Sequence, residues 1–81
     1  HGVGRELHED PQIPCYTSGD RLKSPVIPYG ACLAIEVMYS EGNADIEVLD
    51  DGWTIVTSDG KLSALFEETV IVAKRGPVVI T

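Results

Sequence analysis

The fold is decided by the stretch DIEVLDDGWTIVTSDGKLSALFEETVIVA, residues 45–73. Short runs rich in Ile, Val, Thr and Leu alternate there with Asp-Gly steps at Asp51-Gly52 and Asp59-Gly60. Such residues suit a pleated, half-buried surface, and Asp-Gly between apolar runs is a strong short-range hairpin signal. Upstream, ACLAIEVM at 31–38 has the same character, and EGN at 41–43 separates it from the rest. The pattern predicts a meander of four antiparallel strands near 31–39, 44–49, 53–58 and 62–74, with a short strand from Val78 to Ile80. No amphipathic helix of useful length is visible. One apolar face of the sheet therefore needs cover from a second copy or from further polypeptide.

Residues 11–30 hold four of the five prolines and read as a long irregular loop, because proline removes a backbone donor and biases its predecessor away from the helix. The first ten residues, HGVGRELHED, carry two glycines near the start and are expected to run extended and bend into a loop.

Eighty-one residues make one domain at most, with a modest core. The formal net charge of −7 repels a polyphosphate backbone, so nucleic acid and anionic membrane are not the expected partners. No apolar run approaches the roughly 20 residues that cross a bilayer, and no signal peptide is visible. Cys15 and Cys32, separated by sixteen residues and without a C-x-x-C pairing, read as reduced structural thiols compatible with cytoplasm.

Strand alternation sets Leu33, Ile35 and Val37 on one side and Cys32, Ala34, Glu36 and Met38 on the other. In 62–73, Leu65, Glu67, Thr69 and Ile71 share a face, opposite Ala64, Phe66, Glu68, Val70 and Val72. A carboxylate thus interrupts the middle of two apolar strands. One reading gives each strand a wet face on which Glu36 and Glu67 or Glu68 are simply solvated. The other pairs them or binds them to a metal, since a lone buried carboxylate is very costly. Two carboxylates and a histidine suit borderline divalent ions. By residue type alone, His1 and His8 are equally well solvated loop residues.

The ordered blocks HGVGRELHEDPQIP at 1–14, AIEVM at 34–38, VLDDGWTIVTSDGKLSALFEET at 48–69 and GPVVIT at 76–81 resemble the C-terminal half of methionine aminopeptidases of the bacterial type I class. The most specific elements are HG-x-G-R-x-x-HE-x-P and the DGWT and DG-x-LSA-x-FE pair. The resemblance implies an α+β pita-bread fold in the parent, of which 1–81 is the C-terminal portion of a single metallopeptidase catalytic domain whose N-terminal half is absent. It implies His1, Glu36 and Glu67 as ligands of two divalent metal ions (Co, Mn, Fe or Zn). Glu67 would bridge the ions, Glu36 would accept a proton from the attacking water, His8 would hydrogen-bond the scissile amide, and Trp53 would lie near the substrate cleft. The implied reaction is cytosolic, metal-assisted removal of N-terminal methionine from peptides and nascent proteins. The family's two aspartate ligands precede the position matching His1, so the piece alone is expected to be inactive and to need the missing half as its partner. Val37, Leu65 and Glu68 depart from the family's usual proline, glutamine and histidine. A non-catalytic pita-bread binding protein and an X-Pro-cleaving relative are the alternatives.

Overall fold

The computed structural model describes residues 1–17, 19 and 23–81. Among the described residues five strands form: β1 (Cys32–Ser40), β2 (Ile46–Val48), β3 (Ile55–Thr57), β4 (Ser63–Ala73) and β5 (Gly76–Val79). No α-helix occurs among the described residues. The strands make a three-stranded sheet of order β1-β4-β5 and a separate two-stranded sheet, β2-β3.

This order corrects the expected meander: β1 has β4, not β2, as its sheet neighbour. The reason lies in the edges of β1. His1–Val3 occupy one of them, through bonds from Val3 N to the Cys32 carbonyl and from Ala34 N to the His1 carbonyl. The other edge is taken by β4, at eleven residues a better match for the nine-residue β1 than the three-residue β2. β2 pairs instead with β3, in the register Ile46↔Thr57, Glu47↔Val56 and Val48↔Ile55.

The chain divides into two compact units, His1–Glu36 with Glu67–Thr81, and Val37–Phe66. In the first, Val72 N donates to the Ala31 carbonyl at 2.9 Å. An unbroken antiparallel register counted from that bond sets Leu33 across from Val70, and these, with Ala34, are the buried apolar side chains among the described residues. β5 pairs with β4 from Val70↔Val79 to Ala73↔Gly76. It begins two residues earlier than the sequence pattern suggests, with Pro77 inside it. Pro is tolerated there because β5 ends the sheet and one row of its amides has no strand to serve.

In the second unit, each Asp-Gly step closes a turn. Gly52 and Gly60 sit at φ of 68° and 69°, in the left-handed region that costs glycine little. The Asp51 carboxylate accepts from Trp53 N (3.0 Å), from Thr54 N (2.8 Å) and from the Thr54 hydroxyl. The Asp59 carboxylate accepts from Lys61 N (3.0 Å) and Asn43 N (2.9 Å), and so ties the 41–45 loop to the turn after β3. Gly42 makes that possible, since a Cβ there would strike the same carboxylate.

Within 11–30, the described residues form no strand. The part of the expected Pro-rich loop at Ser18, Asp20, Arg21 and Leu22 lies outside the described residues. No helix among the described residues is long and apolar enough to cross a membrane.

Candidate functional site

The site is built by the edge pairing of the first three residues. His1 stands opposite Ala34, its N donating to the Ala34 carbonyl at 3.0 Å and its own carbonyl accepting from Ala34 N at 2.8 Å. Opposed residues of an antiparallel pair share a face, and faces alternate along each strand. His1, Ala34 and Glu36 therefore lie on one face. The chain then doubles back. Gly2 and Glu9 exchange two backbone bonds, of 2.9 and 2.8 Å, which sets His8 across from Val3 on the same side as His1. The two imidazoles meet with ring centroids 4.3 Å apart and planes tilted by 43°. Gly2 admits this return, because a Cβ on it would strike the Asp10 carbonyl.

His1 Nδ1 lies 2.7 Å from the Gly2 carbonyl oxygen. A carbonyl can only accept, so this contact puts a proton on Nδ1 and, in the neutral ring, leaves Nε2 with its lone pair. Nε2 faces Glu36 Oε1 at 3.9 Å, with the histidine side chain 10% exposed and the glutamate 39%. Two electron-rich atoms facing one another are stabilised by a proton or a cation between them. The gap is shorter than two metal–ligand bonds of about 2.0–2.2 Å end to end, so one ion can touch both atoms. A backbone carbonyl that fixes the tautomer is also the usual outer support of a metal-binding histidine. On these grounds the pair fits a divalent ion.

The same unbroken register that opposes Leu33 and Val70 sets Glu36 across from Glu67 and turns both toward the face of His1. The Glu41 N to Leu62 carbonyl bond, in the second unit, gives the same register count. Glu67 is exposed, and alternation turns Glu68 to the opposite face. Among the described residues no three His, Cys, Asp or Glu side chains converge closely enough to hold an ion. What the structure brings together are two pairs, His1 with Glu36 and His1 with His8, with Glu67 at the register position facing Glu36.

Trp53 belongs to the second unit, where it sits in the β2–β3 turn with 87% of its surface exposed. Both thiols are free. Cys15 donates to the Glu36 backbone carbonyl at 3.4 Å. A residue that pattern reading passed over is Glu9, whose carboxylate accepts from Glu6 N at 2.9 Å. The signal available in the sequence was the spacing of Gly2 and Gly4 before Glu9, since close backbone approach favours glycine.

No family model matches the chain. All 81 residues align with the methionine aminopeptidase of Clostridium perfringens at 47% identity, covering 32% of that relative. Methionine aminopeptidase 1 of Bacillus subtilis also aligns over all 81 residues at 47% identity, with 32% covered. Among solved structures, the crystal structure of methionine aminopeptidase from Thermotoga maritima is similar with a TM-score of 0.84 and 51% identity, over 98% of this chain and 31% of that one. The chain thus spans 32% of the length of these curated relatives and resembles methionine aminopeptidases from end to end.

Proposed function

We propose that this chain, methionine aminopeptidase-like throughout its length, supplies the C-terminal part of the catalytic centre of a metallopeptidase that removes N-terminal methionine from peptides and nascent proteins. The observation that carries the reading is His1: its Nδ1 is engaged by a backbone carbonyl and its Nε2 is aimed at a carboxylate, with a second imidazole beside it. His1, Glu36 and Glu67 hold divalent ions in this reading. Bound there, such ions supply Lewis-acid polarisation and an acidified water. Manganese, iron, cobalt and zinc all suit an imidazole–carboxylate set, and availability selects among them.

The chain's own residues divide the remaining work. Glu36 is, in this reading, the base that takes a proton. His8, exposed beside His1, donates a hydrogen bond to the scissile amide or to the oxygen on which charge develops. Trp53 offers an exposed aromatic surface to the substrate. The pita-bread domain is completed by the family's N-terminal half, which brings two aspartates. Without their negative charge two adjacent cations repel one another with too little compensation, so these residues alone have little peptidase activity.

The test is methionine release from a Met-Ala-Ser peptide with added Mn²⁺ or Co²⁺, by the chain alone and with a family-type N-terminal half supplied in trans or by fusion. Activity only in the completed protein supports the reading. No activity with a folded added half turns it toward a binding protein on the same scaffold.

A further inference from the structure

We infer that Glu9 is a positioning residue for His8, acting from behind the loop that carries it. The exchange of backbone bonds between Gly2 and Glu9 closes the base of a loop over residues 3–8. In that pairing His1, Val3 and His8 project to one side, and Glu9 projects to the other. Its carboxylate folds back along that other side: Oε1 accepts from Glu6 N at 2.9 Å, and Oε2 comes within 3.1 Å of where a Cβ on Gly4 would stand. Gly4 N in turn donates to the Glu6 carbonyl at 3.1 Å. The middle of the loop is thereby tied to its base by a bond from backbone N–H to a side-chain acceptor. His8 is the residue immediately before Glu9. Its ring lies 4.3 Å from that of His1, so where the 3–8 loop is held decides where the ring stands.

This assigns to Glu9 a geometric task that needs an acceptor at a given reach and does not need a charge. Glu9→Gln keeps a carbonyl-type Oε1 at the same distance from the backbone. Glu9→Asp keeps the charge and falls one methylene short. Glu9→Ala loses both. The acceptor account therefore ranks Gln with the parent and Asp with Ala, whereas an electrostatic account ranks them the other way.

The experiment has two arms. In metal-free protein with labelled histidines, NMR reads the cross-relaxation between the His1 and His8 ring protons, with the Leu33 and Val70 methyl shifts as a check on the core. The parent and Glu9→Gln are expected to show the ring contact, and Glu9→Ala and Glu9→Asp to lose most of it with the methyl shifts unmoved. Should Glu9→Ala fail to fold, the Gln–Asp comparison decides. In the completed peptidase, kcat is expected to fall by about 10- to 100-fold in Asp and Ala, the scale of an ångström-level misplacement, with KM and metal content unchanged and Gln within a few-fold of the parent. Ring contact that survives in Glu9→Asp, or is lost in Glu9→Gln, overturns the inference. The kinetic arm rests on the peptidase reading and the NMR arm does not, so an inactive parent with the expected ring contacts refutes that reading and leaves the positioning role standing.

Discussion

At His1 a single backbone carbonyl decides what the ring can do. With Nδ1–H given to Gly2, the neutral imidazole presents a lone pair to Glu36 Oε1 across 3.9 Å. Glu36→Gln keeps the volume of the side chain and removes the charge that makes a cation welcome between them. We expect Mn²⁺ or Co²⁺ affinity to fall at least about tenfold, the lower end of the cost of losing even an outer partner of a metal site, as read by calorimetric titration. Stability should stay within about 0.5 kcal/mol, because that side chain is 39% exposed. Gly2→Ala is the converse case. Its methyl group meets the Asp10 carbonyl, which is backbone and cannot swing aside. We expect a loss of about 1–3 kcal/mol in denaturant unfolding, the scale of overpacking, and with it loss of the His1–His8 ring contact.

The turns between strands carry their own chemistry. Thr54, through its hydroxyl and then its N–H, and Trp53, through its N–H, hold the Asp51 carboxyl below its ordinary value of 3.8. Because the folded state favours the ionised form, the contribution of Asp51 is complete above that unfolded value and is lost as pH falls through the lower folded one. Amide exchange at Trp53 and Thr54, corrected for intrinsic rate, should therefore show protection near neutrality that disappears in the acid range below 3.8. Asp51→Ala should remove the protection at every pH, and Asp51→Asn should keep part of it and lose the acid transition. In the sheet, Leu33 at 3% exposure faces Val70 at 6%, and Leu33→Ala should cost about 2–5 kcal/mol in unfolding experiments. Strand positions were legible because alternation of Leu33, Ile35 and Val37 against Ala34 and Glu36 is a local signal. Pairing was not, since a period of two specifies faces and leaves neighbours open; whether β2 or β4 lies beside β1 depends on which edge the first three residues occupy. Of the residues that the resemblance names, the structure brings His1 beside Glu36 and beside His8. The task of Glu9 was not legible, because it depends on a loop closing on itself.

At the scale of the whole molecule, exposed area decides what the chain needs. Among the described residues of the Val37–Phe66 unit, Trp53, Leu62, Met38 and Phe66 are 87%, 79%, 76% and 67% exposed. Large apolar side chains this open call for cover where they adjoin. We expect further polypeptide, of the kind that makes the relatives three times as long, to supply it. The expected outcome for these 81 residues by themselves is strong binding of an apolar dye such as ANS, together with negligible methionine release. Adding a family-type N-terminal half should quench the dye signal and raise the peptidase rate over the same range of added half, because one docking event buries the apolar surface and brings the aspartates to the metal ligands. Dye release without any peptidase activity would show the interface to be real and the catalytic centre incompetent. A chain that neither binds the dye nor responds to the added half would instead cover this surface with its own copies, and sedimentation would then show a dimer.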